Sequence, residues 1–92
     1  MEFTREDCTF TVPDRPTVRE QLAYYSAAAG SNTLLRYWIG AKALIGSWKS
    51  TTLPDYKADV DTLSDPSQTN LMIWAGLEVM KFMNTLEDIP KN

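Results

Sequence analysis

The stretch that decides the fold is Leu71–Leu77, which reads LMIWAGL. Apolar residues here cover all sides of a helix, and apolar side chains continue around more than one face as far as Leu86. The preceding segment, Asp65–Gln68, combines an acidic N-cap, a proline at the first helical position and a glutamine three residues after the cap, all of which favour helix initiation. We predict a helix over residues 66–86, closed by Pro90.

This helix carries more apolar surface than one stripe of a core can cover. Two alternatives are open for its second side: an N-terminal β element covers it, or it forms a surface for a partner protein or for self-association. Methionine and aromatic side chains suit such a surface because they adapt their shape and supply large contact area. On the second alternative the candidate partner-binding residues are Leu71, Trp74, Leu77, Met80, Phe82 and Met83.

A first helix is predicted over residues 17–29. Thr17 and Glu20 have capping-box spacing, in which each side chain accepts a hydrogen bond from the other residue's backbone N–H. Gly30 is placed to end the helix in a left-handed conformation. The expected core-facing stripe, spaced by four, three and four residues, consists of Val18, Leu22, Tyr25 and Ala29.

A second helix is predicted over residues 33–48, capped by Ser31, Asn32 or Thr33 and antiparallel to the first. Its stripe repeats the same spacing and consists of Leu34, Trp38, Ala41, Ile45 and Trp48. Residues 49–64 lose this periodicity and are rich in aspartate, which predicts an acidic connection with a short turn over residues 59–63.

Residues 1–13 predict a β element. Cys8, Phe10 and Val12 alternate with threonines, and Arg5–Asp7 can form the turn of a short hairpin. Proline at positions 13 and 16 ends the strand, because proline donates no ladder hydrogen bond. The predicted fold class is therefore mostly α (α+β), a single domain over residues 1–92 with three helices and a short N-terminal β-strand or hairpin.

The residue types argue against catalysis. The chain has no histidine, which excludes Ser-His triads, histidine bases and almost every catalytic zinc site. Cys8 shares a strand face with Phe10 and is interpreted as a buried structural residue. The acidic residues of the connection lack the spacing of a calcium loop, and the four glycines are isolated from one another. We expect a protein that is not an enzyme and has no metal and no cofactor.

Charge and hydropathy exclude two further classes of partner. The net charge is −3 and the basic residues are scattered, whereas nucleic-acid binders cluster lysine and arginine. The longest run of apolar residues and glycine has seven members, against about 20 for a membrane-spanning helix. With one cysteine and a charged N-terminal segment, the chain is expected in the cytoplasm, where it binds neither nucleic acid nor membrane.

Three segments together resemble small bacteriophage tail assembly chaperones. They are Phe10–Val12 with the following prolines and Thr17–Leu22, Ala41–Trp48, and the region from Trp74-Ala75-Gly76 to Pro90-Lys91-Asn92. The resemblance implies a late viral protein of the host cytoplasm that keeps the tape-measure protein soluble while tail subunits polymerise around it. The alternatives are a small phage-encoded inhibitor or adaptor that docks on a host protein through residues 55–65, and a structural ring subunit of a virion.

Overall fold

The structure is a computed structural model that describes residues 1–29, 33–58 and 60–87, with the backbone alone at residues 33–35 and 87. Over these residues it confirms the predicted α+β fold with three helices, and it adds a third strand that extends the N-terminal hairpin into a three-stranded antiparallel sheet. In chain order the elements are β1 (Glu2–Arg5), β2 (Cys8–Thr11), α1 (Val18–Ala29), α2 (Thr33–Lys42), β3 (Ser47–Lys49), a 3-10 turn (Val60–Thr62) and α3 (Pro66–Glu87).

The predicted N-terminal hairpin is present and forms two thirds of the sheet. The strand order is β1-β2-β3, with Phe10 paired to Phe3 on one side and to Trp48 on the other. The rings of these residues stack at centroid distances of 5.0 Å for Phe3–Phe10 and 5.5 Å for Phe10–Trp48. Cross-strand aromatic pairs of this kind stabilise a small sheet.

The prediction for the end of the second helix is wrong. Helix α2 stops at Lys42, and the predicted helical residue Trp48 lies instead in β3. Tertiary pairing with β2 accounts for the change, since the Gly46 N–H donates to the Thr11 carbonyl at 2.8 Å and the Thr11 and Ser47 hydroxyls are 2.7 Å apart. The predicted connection over 49–64 therefore begins with a strand residue. The short turn predicted over 59–63 corresponds to the 3-10 turn Val60–Thr62, and Asp59 lies outside the described residues.

The predicted start of α1 is confirmed at its cap. The Thr17 hydroxyl accepts a hydrogen bond from the Glu20 N–H at 3.1 Å, and the Glu20 carboxylate accepts one from the Thr17 N–H at 2.9 Å. This reciprocal pair satisfies two N–H groups that have no partner inside the helix. The C-terminal stop predicted at Gly30 and the caps predicted at Ser31 and Asn32 lie outside the described residues.

The predicted core stripe of α1 is wrong. Val18, Leu22 and Tyr25 are 72%, 61% and 41% exposed, and the helix packs on α2 through Tyr24. The reason is a close approach to Gly40 of α2, where a Cβ atom would lie 3.0 Å from Cε1 of Tyr24. The glycine admits the tyrosine ring, and α1 is rotated so that its apolar stripe faces outward.

Helix α3 runs the predicted length and packs against both α2 and the sheet. Asp65 caps it by accepting a hydrogen bond from the Ser67 N–H at 3.0 Å. At Gly76 the backbones of α3 and α2 touch, because a Cβ atom there would lie 2.7 Å from the Trp38 nitrogen. The predicted closing residue, Pro90, lies outside the described residues.

The N-terminal hairpin covers the second side of α3. Phe10 meets Trp74 edge-on at 5.5 Å between ring centroids, and Phe3 meets Phe82 edge-on at 6.5 Å. Of the two alternatives for the surplus apolar surface, burial within the monomer therefore accounts for much of it.

Candidate protein-binding surfaces

The six residues predicted to bind a partner divide into two groups. Leu71, Phe82 and Met83 are core residues, with exposed fractions of 7%, 7% and 2%. The folded monomer leaves very little of these three side chains exposed: Phe3 of the hairpin packs on Phe82, and Met83 contributes only a small part of the larger groove described below. The other three, Trp74, Leu77 and Met80, are half-buried and line two different grooves.

The first groove, called here the Trp74 groove, has a volume of about 290 Å³ and lies between β1 and α3. Trp74 and Leu77 line it, and the Arg5 guanidinium lies over the Trp74 ring at 6.0 Å from its centroid. Lys81 and Glu78 also line it and form an ion pair at 3.6 Å. Its charges are mixed, so it has no clear electrostatic preference for one partner.

The second groove, called here the α1 groove, is larger, about 470 Å³, and involves all three helices. Its α1 wall includes Tyr25 and Ala29, and Met80 of α3 lines it with Tyr37 of α2. The Arg36 guanidinium lies over the Tyr37 ring at 5.4 Å. Sequence reasoning placed Met80 on a partner surface but did not predict that α1 and α2 would complete a groove there.

The most exposed apolar surface belongs to α1. Val18, Leu22, Tyr25 and Ala29, called here the α1 face, lie along one side of the helix because their spacing follows its turn. The face continues into the α1 groove through Tyr25 and Ala29. Sequence reasoning found this stripe but assigned it to the core. No local signal distinguished Tyr24 from Tyr25 as the inward residue, because the two lie only about 100° apart around the helix.

Charge is distributed unevenly along α1. Its charged residues, Arg19 and Glu20, both lie in the first turn, and the last turn has no basic residue. Arg19 is exposed and follows Val18 by about 100° around the helix, on the flank away from Tyr24 and the α1 groove. The α1 face is therefore apolar along its length with a cation at one end.

Asp7 is the best-connected polar side chain of the described residues, and sequence reasoning did not predict its role. Its carboxylate accepts hydrogen bonds from the backbone N–H groups of Thr51 and Thr52, both at 2.9 Å, and from both hydroxyls. The Thr51 hydroxyl and the other donors hold the pKa of Asp7 well below its ordinary value. Asp7 thereby ties the β1–β2 turn to the loop after β3.

Cys8 is buried, as predicted. Its side chain is 0% exposed, and burial raises the pKa of its thiol to about 11. A thiol with that pKa stays protonated at neutral pH, whereas the thiolate is the nucleophilic form. Cys8 therefore acts as a small apolar core residue beside Phe10.

Comparisons with protein-family models, curated proteins and solved structures find no match to this chain. Over the described ranges, none of the helices is long and apolar enough to cross a membrane. The same residues include no group of three or more histidine, cysteine, aspartate or glutamate side chains placed to hold a metal ion.

Proposed function

We propose that this chain is a non-catalytic protein-binding chaperone that shields apolar segments of another protein. The observation that carries the proposal is the α1 face, where Val18, Leu22 and Tyr25 are exposed in one row. Large apolar side chains gathered on one helix side are costly to leave in water, and such patches mark protein-interaction sites. When a client segment covers these side chains, removing them from water stabilises the complex.

The shape of the surface favours an amphipathic helical client. Such a helix lies along the α1 face and places apolar side chains in the α1 groove, which is a recurrent way for proteins to bind helices. Helix α1 is only about 18 Å long at 1.5 Å per residue, so one contact buries less area than a stable complex needs. Binding is then weak and reversible at each site and strengthens along a client with repeated segments.

The resemblance to bacteriophage tail assembly chaperones supplies the candidate client. A tape-measure protein is a long helical protein that must stay soluble until tail subunits surround it, and weak repeated contacts suit that task. The docking alternative through residues 55–65 gains less support, because Asp55 accepts a hydrogen bond from the Lys57 N–H and Asp65 caps α3. These two acids already have local structural roles.

Co-expression with a candidate tape-measure protein tests the proposal. We expect the wild-type chain to raise the soluble fraction of the tape-measure protein and Leu22→Glu to abolish that effect. Ala23→Glu is the matched control, because Ala23 is exposed on the same helix but lies off the α1 face. Both variants should keep the wild-type circular dichroism spectrum. Equal activity of Leu22→Glu and wild type would overturn the assignment of the α1 face.

A further inference from the structure

We infer that a second copy of this chain covers the α1 face when no client is bound, with the two α1 helices antiparallel. The inference rests on the proposed function, since both assign this face to protein binding. In the absence of a client the second copy occupies the α1 face, and a client must displace that copy in order to bind.

The side chains of the α1 face complement themselves in an antiparallel pair. With the two-fold axis between Leu22 and Tyr25, each Leu22 meets the partner's Tyr25 and each Val18 meets the partner's Ala29. Large residues thus lie opposite small ones at the ends, and the four-three-four spacing is that of an antiparallel helix seam. A two-fold pair uses the same patch on both copies and leaves no apolar row exposed.

The charges of α1 select the antiparallel orientation. In a parallel pair each Arg19 would lie beside the N-terminal turn of the partner's α1, where the helix dipole places partial positive charge. In the antiparallel pair each Arg19 lies beside the C-terminal turn of the partner's α1, which has no basic residue of its own. A cation is favourable there because the helix dipole places partial negative charge at the C-terminus.

The pair leaves room for the rest of each molecule. Tyr24, the residue by which α1 packs on its own α2, lies about 120° around the helix from the α1 face. The two-fold axis is perpendicular to both helices, so the bodies of the two copies extend to the same side and diverge. The short helix limits the buried area, and we expect a weak dimer with a dissociation constant on the order of 0.1 mM.

Sedimentation equilibrium of the full chain over about 10 µM to 1 mM tests the inference. The variants reverse the charge at residue 19 and then place the opposite charge on the partner helix. Arg19→Glu should weaken the dimer about tenfold, because it places an anion at the negative end of the partner helix. The double variant Arg19→Glu with Ser26→Lys should restore most of the loss. Ser26 is exposed on the same flank as Arg19 and lies near the partner's residue 19 in the antiparallel pair.

Residues 19 and 26 of one helix are two turns, about 10 Å, apart along its axis, so the restoration mainly measures a contact between molecules. A wild-type chain that stays monomeric at about 1 mM would overturn the inference, as would a double variant no tighter than Arg19→Glu. Solubilisation of the tape-measure protein, measured on the same variants, separates the two proposals. If Leu22→Glu blocks it while the wild type is monomeric, the proposed function stands and the self-pairing fails.

Discussion

At the scale of single residues, the turn of the β1–β2 hairpin contains a local strain. Glu6 adopts a φ of 52°, in the left-handed region that disfavours residues with a Cβ atom. We expect Glu6→Gly to raise the free energy of unfolding by about 0.5–1 kcal/mol, measured by urea denaturation. Thr4→Gly in β1 is the control and should lower it by a similar amount, since glycine weakens a strand. A less stable Glu6→Gly chain would contradict the assignment of strain.

Asp7 makes the stability of the chain depend on acid. Its pKa is lower in the folded chain than its ordinary value of 3.8, so the folded state favours the carboxylate. The resulting stabilisation is fully present above about pH 4 and is lost as the pH falls below that value towards the folded pKa. Asp14, beside the N-terminal ammonium, and Asp65, beside the Ser67 N–H, also have lowered pKa values and act in the same direction.

We therefore expect Asp7→Asn to be less stable than wild type at pH 7 and to lose less stability between pH 5 and pH 2. Urea titrations at several pH values measure both effects. Glu2→Gln is the matched control, because it neutralises an exposed carboxyl on the same hairpin. Parallel stability curves for wild type and Asp7→Asn would show that the contacts of Asp7 do not favour the charged form.

Local residue chemistry was predictable, and distant contacts were not. The capping box of Thr17 and Glu20 could be predicted because both partners lie within four residues of sequence. The hydrogen bonds to Asp7 could not be predicted, since their donors Thr51 and Thr52 are more than 40 residues away and threonine is common in loops. Only the pairing of β2 with β3 brings them together.

At the scale of elements, the same limit explains the errors in α1 and α2. Trp48 continues the helical spacing of α2 and also fits a strand, so periodicity could not decide between them. The pairing of Trp48 with Phe10 in the sheet places Trp48 in a strand. In α1 the start was predictable from the cap, but the orientation of the helix depends on Gly40 of another helix. Helix α3 was predictable throughout its described length because its start signal and apolar run agree.

The contact between α2 and α3 depends on Gly76. A methyl group there would meet the backbone of Tyr37 and Trp38 at 2.8 Å and 2.7 Å, and backbone atoms cannot rotate away. We expect Gly76→Ala to lower the free energy of unfolding by about 3 kcal/mol, despite the better helix propensity of alanine. Gly46→Ala is the control, because its nearest atom would be 3.7 Å away. Equal stabilities of the two variants in urea would contradict the close approach.

At the scale of the whole molecule, the aromatic core joins the sheet to α2 and α3 but leaves α1 at its edge. Trp48 connects the rings of Phe10 and Trp38, and Phe10 reaches Trp74. Of the described α1 residues only Tyr24 is buried. The chain therefore has a well-packed body and one peripheral helix, which carries the proposed protein-binding face.

This arrangement predicts that α1 opens on its own. Native-state hydrogen exchange should show α1 amides exchanging through a local opening of lower free energy than the global unfolding that governs α3, because a single buried side chain anchors α1. Self-pairing also makes exchange in α1 depend on protein concentration. The protection of α1 amides should rise with concentration, while that of α3 amides stays constant. The Arg19→Glu variant should lose that rise. Uniform protection of α1 and α3 at low concentration would show that α1 is part of the cooperative core.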